Sequence, residues 1–235
     1  MPEDRALELE QRLRAVQDQI GSAAAASGRS ADDVTLVVIT KTWPTSDIRI
    51  LYGLGVRDVG ENRHQDAEAK AGELGDLDLT WHFVGQIQSN KAARIATYAD
   101  VVHSVDSVRV ARRLGAAAHE HGRVVSCFVQ VNLDDEERRG SRGGATADEV
   151  DSVAAAIEDA EGLVLHGVMG VAPLRGDAEE AYRRLASTRS RLLEAYPAAT
   201  ALSAGMSGDF VAAVTAGATH VRVGSAVLGQ RPALR

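Results

Sequence analysis

The first residue with a clear chemical use is a lysine at the end of a predicted strand. Lys41 ends the segment "VVITK", residues 37–41, whose other residues are typical of a buried strand. Partial burial at a strand end lowers the pKa of such an amine, and the neutral amine can then form a Schiff base with an aldehyde. Two alternatives stay open on spacing alone: a side chain that reaches solvent, or one that pairs with Glu61.

Two glycine- and serine-containing segments have the composition of anion-binding loops. "SAGMSGD", residues 203–209, and "VGSAV", residues 223–227, each place small residues directly before a predicted helix. Backbone N–H groups in that position, with no bulky side chain in the way, form a cradle for phosphate. Either segment taken alone is also consistent with ordinary turn and helix-cap chemistry.

A Schiff-base lysine combined with a phosphate cradle indicates a phosphorylated aldehyde, and pyridoxal 5′-phosphate (PLP) is the obvious one. Arg222 lies two positions before Gly224, so strand alternation places both residues on one face of the strand. A guanidinium only donates hydrogen bonds. If Arg222 faces the pyridine nitrogen, that nitrogen stays unprotonated, and the cofactor is a weaker electron sink than one paired with a carboxylate.

The elements that position these residues are predicted to be strands alternating with helices. Residues 2–26 predict one amphipathic helix. Eight such strand–helix units in about 200 residues predict a single-domain (β/α)8 TIM barrel with an extra N-terminal helix. A doubly wound open sheet is the alternative, but its G-x-G-x-x-G fingerprint is missing after the first strand. The strands are predicted at 34–40, 56–59, 80–84, 101–105, 124–131, 163–169, 200–203 and 219–223.

We therefore expect one domain over residues 1–235, with the N-terminal helix in 1–30 and the barrel in 34–229. In such a barrel, active groups lie at the carboxyl ends of the strands. Lys41, Asn62 and Gly224 all follow predicted strands, and His82 lies on one. Polar residues therefore collect at one rim of the predicted barrel.

Composition and charge restrict the class of protein. The chain has 235 residues, 45% of them apolar and 25% charged, which is ordinary for a soluble globular protein. A net charge of −7 argues against a nucleic-acid partner. The single cysteine, Cys127, excludes an intrachain disulfide and fits a reducing compartment. Without a membrane-length apolar run or the apolar core of a signal peptide, we expect a cytoplasmic protein with no membrane partner.

Several segments, taken together and in order, resemble the pyridoxal phosphate homeostasis protein family. The resemblance runs over nearly the whole chain and implies a barrel of the alanine racemase type, known as fold type III. It also implies that Lys41 holds PLP as an internal aldimine, and that the protein acts in intracellular PLP (vitamin B6) homeostasis with effects on amino-acid and keto-acid balance. The segments are "LVVITKTWP", "VGENRHQDAEAK", "WHFVGQIQSNK", "HSVDS", "QVNLDDEERRG", "GVMGVAP" and "LSAGMSGDFVAAVTAGATHVRVGSAVLG".

The resemblance also implies roles for individual residues. The segment around Arg222 is similar to the R-x-G cofactor segment of alanine racemase, in which the arginine meets the ring nitrogen. By that likeness, Gly224 and Ser225 contact the phosphate. Three further cofactor-binding positions are implied: Ser207 matches a racemase serine that binds phosphate, while Asn62 and His82 match positions that line the pocket.

An amino-acid racemase or decarboxylase of fold type III is the alternative function. Racemisation needs a proton donor on each face of the substrate, and alanine racemase supplies the second one as a tyrosine from another domain across a dimer. The four tyrosines here lie in predicted helical stretches, away from the rim: Tyr52, Tyr98, Tyr182 and Tyr196. We therefore expect a monomeric binding protein with no catalytic residue, and PLP-dependent apo-enzymes as candidate recipients of the cofactor. A third interpretation is a Schiff-base aldolase that uses Lys41 without a cofactor.

Overall fold

Eight parallel strands close into a barrel in this chain. The computed structural model describes residues 2–134, 143–174 and 176–230. Each strand pairs with the next along the chain, and the first pairs with the last, so the predicted barrel is confirmed and the open sheet is excluded. The strands are β1 (Thr35–Ile39), β2 (Asp58–Glu61), β3 (Thr80–Phe83), β4 (Val101–Val105), β5 (Val125–Val131), β6 (Leu163–Gly170), β7 (Ala201–Ser203) and β8 (His220–Val223).

Helices alternate with the strands around the outside of the barrel. The first helix forms at the predicted residues and packs its apolar side on the helices of the last two strand–helix units. None of the described helices is both long and apolar enough to cross a bilayer. The helices are α1 (Pro2–Ala26), α2 (Thr45–Gly53), α3 (His64–Glu73), α4 (Ala92–Ile95), α5 (Val108–Glu120), α6 (Val150–Glu158), α7 (Ala178–Ala195), α8 (Phe210–Thr215) and α9 (Ser225–Leu228), with a 3-10 turn at Ala31–Asp33.

The second strand is displaced along the chain from its predicted position. The prediction was 56–59, whereas β2 forms at Asp58–Glu61. Val56 instead belongs to the turn after α2, where its N–H donates to the Leu51 carbonyl. Gly60 lies in this strand at a position with no room for a side chain, because a Cβ there would lie 2.5 Å from the Ile39 Cδ1 atom. The displacement places Glu61 inside the strand and Asn62 at the rim.

The two faces of the strands have different chemistry. Trp81 packs outward in the main hydrophobic core between sheet and helices. The barrel interior instead holds buried polar side chains, including His82, His103, Ser203 and Arg222. Barrel interiors are more often filled by branched apolar residues. Because buried polar groups are costly without partners, this interior depends on its own hydrogen bonds.

The long loop after β5 is described only at its two ends. Residues 135–142 of this segment lie outside the described residues. Beyond them the chain returns beside β5, where Ala145 donates its N–H to the Gln130 carbonyl and accepts from the Asn132 N–H. Both ends of the loop are thus held at the rim.

Gly85, shortly after β3, packs so closely on Asn62 that a side chain would displace one of them. A Cβ on Gly85 would lie 2.0 Å from the Asn62 carbonyl oxygen. We expect Gly85→Ala to lower the free energy of unfolding by about 1–3 kcal/mol, as measured by urea denaturation. Gly72→Ala in α3 is the control, because nothing lies within 4 Å of its Cβ. Equal losses in both variants would contradict the close approach.

Candidate functional site

One cavity at the carboxyl ends of the strands brings most of the predicted site residues together. Its volume is about 470 Å³, within the range of small-molecule sites. Six of the predicted residues line it: Lys41, Asn62, Ser207, Arg222, Gly224 and Ser225. The remaining walls are Ile39, Trp43, Val84, Gly85, Met169, Val171, Met206, Gly208 and Gly229.

Lys41 lies in a sharp turn after β1. The next residue, Thr42, has a φ of 70°, a left-handed conformation that a β-branched residue rarely adopts. The turn closes where the Trp43 N–H donates to the Thr40 carbonyl at 3.0 Å. Strained backbone of this kind tends to occur at functional sites. The turn ends the strand abruptly and leaves the half-buried Lys41 side chain on the cavity wall.

The loops after β7 and β8 are joined by one serine hydroxyl. The Ser207 Oγ atom accepts the N–H of Gly224 at 3.2 Å and the N–H of Ala226 at 3.3 Å. Small residues at Gly224 and Ser225 keep this backbone open to the cavity. A hydroxyl that accepts two hydrogen bonds still has its own proton to donate. The loops therefore place the Ser207 proton at the cavity beside the backbone of Gly224 and Ser225, which suits an anion.

A tyrosine and an aspartate stabilise the conformation of the loop between β7 and α8. The Tyr182 hydroxyl in α7 donates to Asp209 Oδ2 at 2.8 Å, and Asp209 Oδ1 accepts the Met206 N–H at 2.6 Å. Burial raises the pKa of Tyr182 above its ordinary value, with the Asp209 carboxylate adding to the effect. The hydroxyl therefore stays protonated and keeps donating to Asp209.

Arg222 brings a buried positive charge to the floor of the cavity. Its Nη2 atom donates to the Gly170 carbonyl at 2.9 Å, and its Nη1 atom donates to the Ser203 hydroxyl oxygen. Burial lowers the pKa of Arg222 to about 10, so the guanidinium is still ionised at neutral pH. Both of these partners are neutral groups, which leaves the charge able to attract an acceptor in the cavity.

His82 is placed differently from its predicted role as a pocket wall. It is not one of the residues that line the cavity. Its Nε2 atom lies 2.9 Å from Asp58 Oδ1, at the opposite end of the barrel, and its Nδ1 atom lies 2.8 Å from His103 Nε2. We correct the prediction accordingly: His82 lies in the barrel interior, and hydrogen bonds through His103 and Ser203 connect it to Arg222 at the cavity.

A buried ion pair supports the turn that carries Lys41. Glu61 Oε1 accepts from Lys70 Nζ at 2.6 Å and from the Thr40 hydroxyl at 2.7 Å. Lys70 Nζ also donates to the Thr40 carbonyl at 2.9 Å. The residue directly before Lys41 is thus held through both its side chain and its backbone.

Arg5 of α1 connects the turn that carries Lys41 to α9, the helix after β8. Its guanidinium lies 4.7 Å from the centre of the Trp43 ring. It also donates to Asp47 Oδ2 at 2.7 Å and to the Leu228 carbonyl, at the end of α9, at 3.0 Å. Sequence reasoning missed Arg5 and Lys70, because the contacts of Arg5 with Asp47 and Leu228 and that of Lys70 with Thr40 join distant positions and leave no local signal. His103 and Ser203 did carry a signal, since both are polar residues on predicted strands.

Residues 13–232 match the model of the alanine racemase N-terminal domain family. A pyridoxal phosphate homeostasis protein of Mycobacterium tuberculosis is 42% identical over 244 residues, which cover 97% of this chain and 95% of the relative. The chain belongs to the pyridoxal phosphate homeostasis protein family. The resemblance predicted from the sequence segments is confirmed.

Solved structures agree with this membership of the homeostasis protein family. The structure of PipY of Synechococcus elongatus with PLP bound matches with a TM-score of 0.81 and 32% identity, covering 94% of this chain and 100% of PipY. The D-threonine aldolase of Filomicrobium marinum matches with a TM-score of 0.72 and 19% identity, covering 95% of this chain and 60% of the aldolase. At that identity the second likeness shows only a shared fold.

A larger groove, of about 700 Å³, lies away from the strand ends between α5 and α6. Its walls are mostly alanines, glycine and surface residues such as Arg112 and His119. None of the predicted site residues borders it. We place the functional site at the rim, because there an amine, a buried guanidinium and an anion cradle face one space.

The Lys70–Glu61 pair is expected to be costly to break from one side. The exposed fractions of these side chains are 13% and 1%, so removing the lysine leaves a buried carboxylate without its cation. We expect Lys70→Met to lower the free energy of unfolding by about 3–5 kcal/mol, measured by urea denaturation. The double variant Lys70→Met/Glu61→Leu should recover much of this loss, since it leaves no buried charge.

Arg94→Met provides the matched control for that prediction. It breaks an exposed pair with Glu68, in which the side chains are 63% and 35% exposed. Exposed pairs contribute little to stability, so this variant should unfold close to the wild type. If Lys70→Met were as mild as Arg94→Met, the ion pair would not support the lysine turn.

Proposed function

We propose that this chain binds PLP and acts in intracellular PLP homeostasis, holding the cofactor as a Schiff base on Lys41. One observation carries the proposal: Lys41, Arg222 and the Ser207–Gly224–Ser225 cradle line a single cavity of about 470 Å³. Membership of the homeostasis protein family and the PLP-bound structure of the relative PipY support it. The aldehyde, the ring nitrogen and the phosphate of PLP are complementary to Lys41, Arg222 and the cradle, respectively.

Lys41 is the proposed covalent contact. With PLP bound, the neutral Lys41 amine would hold it through a C=N bond to the aldehyde carbon, with the aldehyde oxygen lost as water. When bound, PLP supplies an electron-withdrawing ring that stabilises negative charge on an attached carbon. The turn at Thr42 and the support of Thr40 by Lys70 orient the amine toward the cavity.

The remaining site residues have proposed non-covalent roles. The Ser225 N–H and the Ser207 hydroxyl are the proposed phosphate contacts, and the N–H groups of Gly224 and Ala226, which donate to Ser207 Oγ, hold that hydroxyl in place. Arg222 is the proposed donor to the ring nitrogen, because its guanidinium is the buried cation at the cavity floor. Asn62 at the end of β2 is a proposed wall contact whose amide can either donate or accept.

We further propose that binding, not catalysis, is the role of this site. Two tyrosines, Tyr98 and Tyr196, lie just outside helices, so the prediction that all four are helical was wrong for these two. None of the four, all within the described residues, lines the cavity. A second proton donor of the racemase kind is therefore missing from the described cavity walls. A ring nitrogen that accepts from Arg222 also makes the cofactor a weaker electron sink.

The wider role rests on sequence expectations that we carry forward as proposals. These are a cytoplasmic location, a monomeric state, PLP-dependent apo-enzymes as recipients of the cofactor, and an influence on amino-acid and keto-acid balance. The single, buried Cys127 is consistent with a reducing compartment. Burial also raises the pKa of its thiol, which makes the thiol unreactive at neutral pH.

Lys41→Ala tests the covalent contact. We expect the variant to fold, with an unchanged far-ultraviolet circular dichroism spectrum, but to lose the visible absorbance that the wild type gains on incubation with PLP. Borohydride reduction of the wild type, followed by peptide mass spectrometry, should place the pyridoxyl group on Lys41. Lys91→Ala is the control and should keep the absorbance. Labelling of Lys70 or Lys91 in the wild type would contradict the proposal.

Exchange of the substrate α-proton tests the alternative of a racemase or decarboxylase. The PLP-loaded protein is incubated with single amino acids in deuterated water, and α-deuterium incorporation and CO2 release are measured. We expect neither reaction above the rate of free PLP, because the described cavity lacks a tyrosine acid–base group. Turnover of several amino acids at enzyme-like rates would overturn the binding role and leave PLP binding intact.

A further inference from the structure

A continuous chain of hydrogen bonds crosses the barrel interior from Arg222 to Asp58. Arg222 donates to the Ser203 oxygen, and Ser203 Oγ lies 2.8 Å from His103 Nδ1. His103 Nε2 lies 2.8 Å from His82 Nδ1, and His82 Nε2 lies 2.9 Å from Asp58 Oδ1. The five members lie on five different strands, so closure of the barrel assembles this chain of hydrogen bonds.

This chain of hydrogen bonds connects the two openings of the barrel. Arg222 lines the cavity at the carboxyl ends of the strands. Asp58 is the first residue of β2, its side chain is 29% exposed, and it lines a separate cavity of about 470 Å³ at the amino ends of the strands. The inner members His82, His103 and Ser203 are buried. Protons from solvent therefore have access to the chain at Asp58, far from the site.

With neutral histidines, one arrangement of protons satisfies every contact. Arg222 only donates, so the Ser203 oxygen accepts from it and the Ser203 O–H donates to His103 Nδ1. His103 then carries its proton on Nε2 and donates to His82 Nδ1. His82 carries its proton on Nε2 and donates to the Asp58 carboxylate. In this arrangement Ser203 is a strengthened acceptor for Arg222, because it donates its own proton onward.

One added proton on His82 reverses the direction of the inner bonds. His82 then donates from both nitrogens, to Asp58 and to His103 Nε2. His103, still neutral, must carry its proton on Nδ1 and donate to the Ser203 oxygen. Ser203 now receives donors from both His103 and Arg222 and gives its own proton to another acceptor. The hold of Ser203 on Arg222 is weaker, because two donors share its lone pairs.

The surroundings favour His82 as the member that takes up this proton. Burial lowers the pKa of His103 well below the ordinary histidine value, with the neighbouring charges of His82 and Arg222 adding to the effect. An imidazolium at His82 has a carboxylate 2.9 Å away, whereas one at His103 does not contact a carboxylate. Burial also lowers the pKa of His166, and that of His220 to about 3. The titratable groups that face His82 within the described interior are Asp58, His103, His166 and His220, and the charge of Arg222 acts on His103 and His220.

We propose that Ser203, His103, His82 and Asp58 form a positioning relay, through which protonation at the amino end of the barrel weakens the hold on Arg222 and alters its contact with the ring nitrogen of PLP. The last step rests on the proposed function, because it requires Arg222 to face the cofactor. The steps from Asp58 to Ser203 involve only residues of the protein itself, so they can be tested without PLP. Release or tighter holding of the cofactor would thus depend on the protonation state of a distant histidine.

The first test uses cofactor-free protein labelled with 15N histidine and follows the ring nitrogens by NMR as the pH falls. We expect His82 to gain a proton while His103 switches from the Nε2–H to the Nδ1–H tautomer, both with one midpoint. Different midpoints, or a His103 tautomer that does not change as His82 titrates, would overturn the relay. This readout is independent of whether PLP binds.

The second test follows the visible absorbance of the PLP-loaded protein against pH, after borohydride trapping has verified loading on Lys41. The wild type should show a transition at the His82 midpoint found by NMR. Asp58→Asn should lower that midpoint, because the imidazolium loses its anionic partner. His121→Gln, at an exposed histidine outside the barrel interior, is the control and should leave the midpoint unchanged.

His82→Gln gives a second variant in case Asp58→Asn does not fold. Its amide keeps a donor for Asp58 but cannot take up a proton, so the absorbance transition should be absent. A loaded wild type without a transition at the NMR midpoint, or an unshifted midpoint in Asp58→Asn, would overturn the coupling to the cofactor. If the wild type did not load PLP at all, the proposed function would fail, and the NMR titration would still decide the relay.

Discussion

The buried guanidinium of Arg222 sets the chemistry of the barrel interior. A charge inside a protein is costly unless hydrogen-bond acceptors surround it. Gly170 and Ser203 supply these acceptors, and Ser203 is in turn held by His103. One cation at the cavity floor therefore accounts for a run of polar side chains where barrels of this class more often pack branched apolar residues. With neutral histidines, hydrogen-bond donation in this network runs from Arg222 at the cavity to Asp58 at the amino ends of the strands.

Closure of the barrel brings the two halves of the site together. β1 pairs with β8, with Val38 opposite Val223, so Lys41 and Gly224 emerge on neighbouring strands although the chain separates them widely. Three local devices then fix the rim: the left-handed turn at Thr42, the bridging hydroxyl of Ser207, and the salt bridge beneath Lys41. The N-terminal helix adds a clamp, because one arginine of α1 reaches both the lysine turn and the end of α9.

Much of this arrangement is readable from the sequence, and the limits have physical causes. The alternation of apolar runs with amphipathic stretches predicts the barrel, and small residues before short helices predict the loops around Ser207 and Gly224. The partners of His82 were not readable, because they depend on the register of β3 against its neighbouring strands β2 and β4. The start of β2 was misplaced for a related reason: Val56 has strand-like character, but its N–H is used by the preceding helix.

The state of the ring nitrogen tests the central claim most directly. PLP labelled with 15N in the ring is loaded onto the protein, and the nitrogen shift is measured by NMR at neutral pH. If Arg222 donates to that nitrogen, the shift will be that of an unprotonated, hydrogen-bonded pyridine. The shift of a protonated pyridinium would contradict the account, since a guanidinium that only donates cannot face a nitrogen that carries a proton.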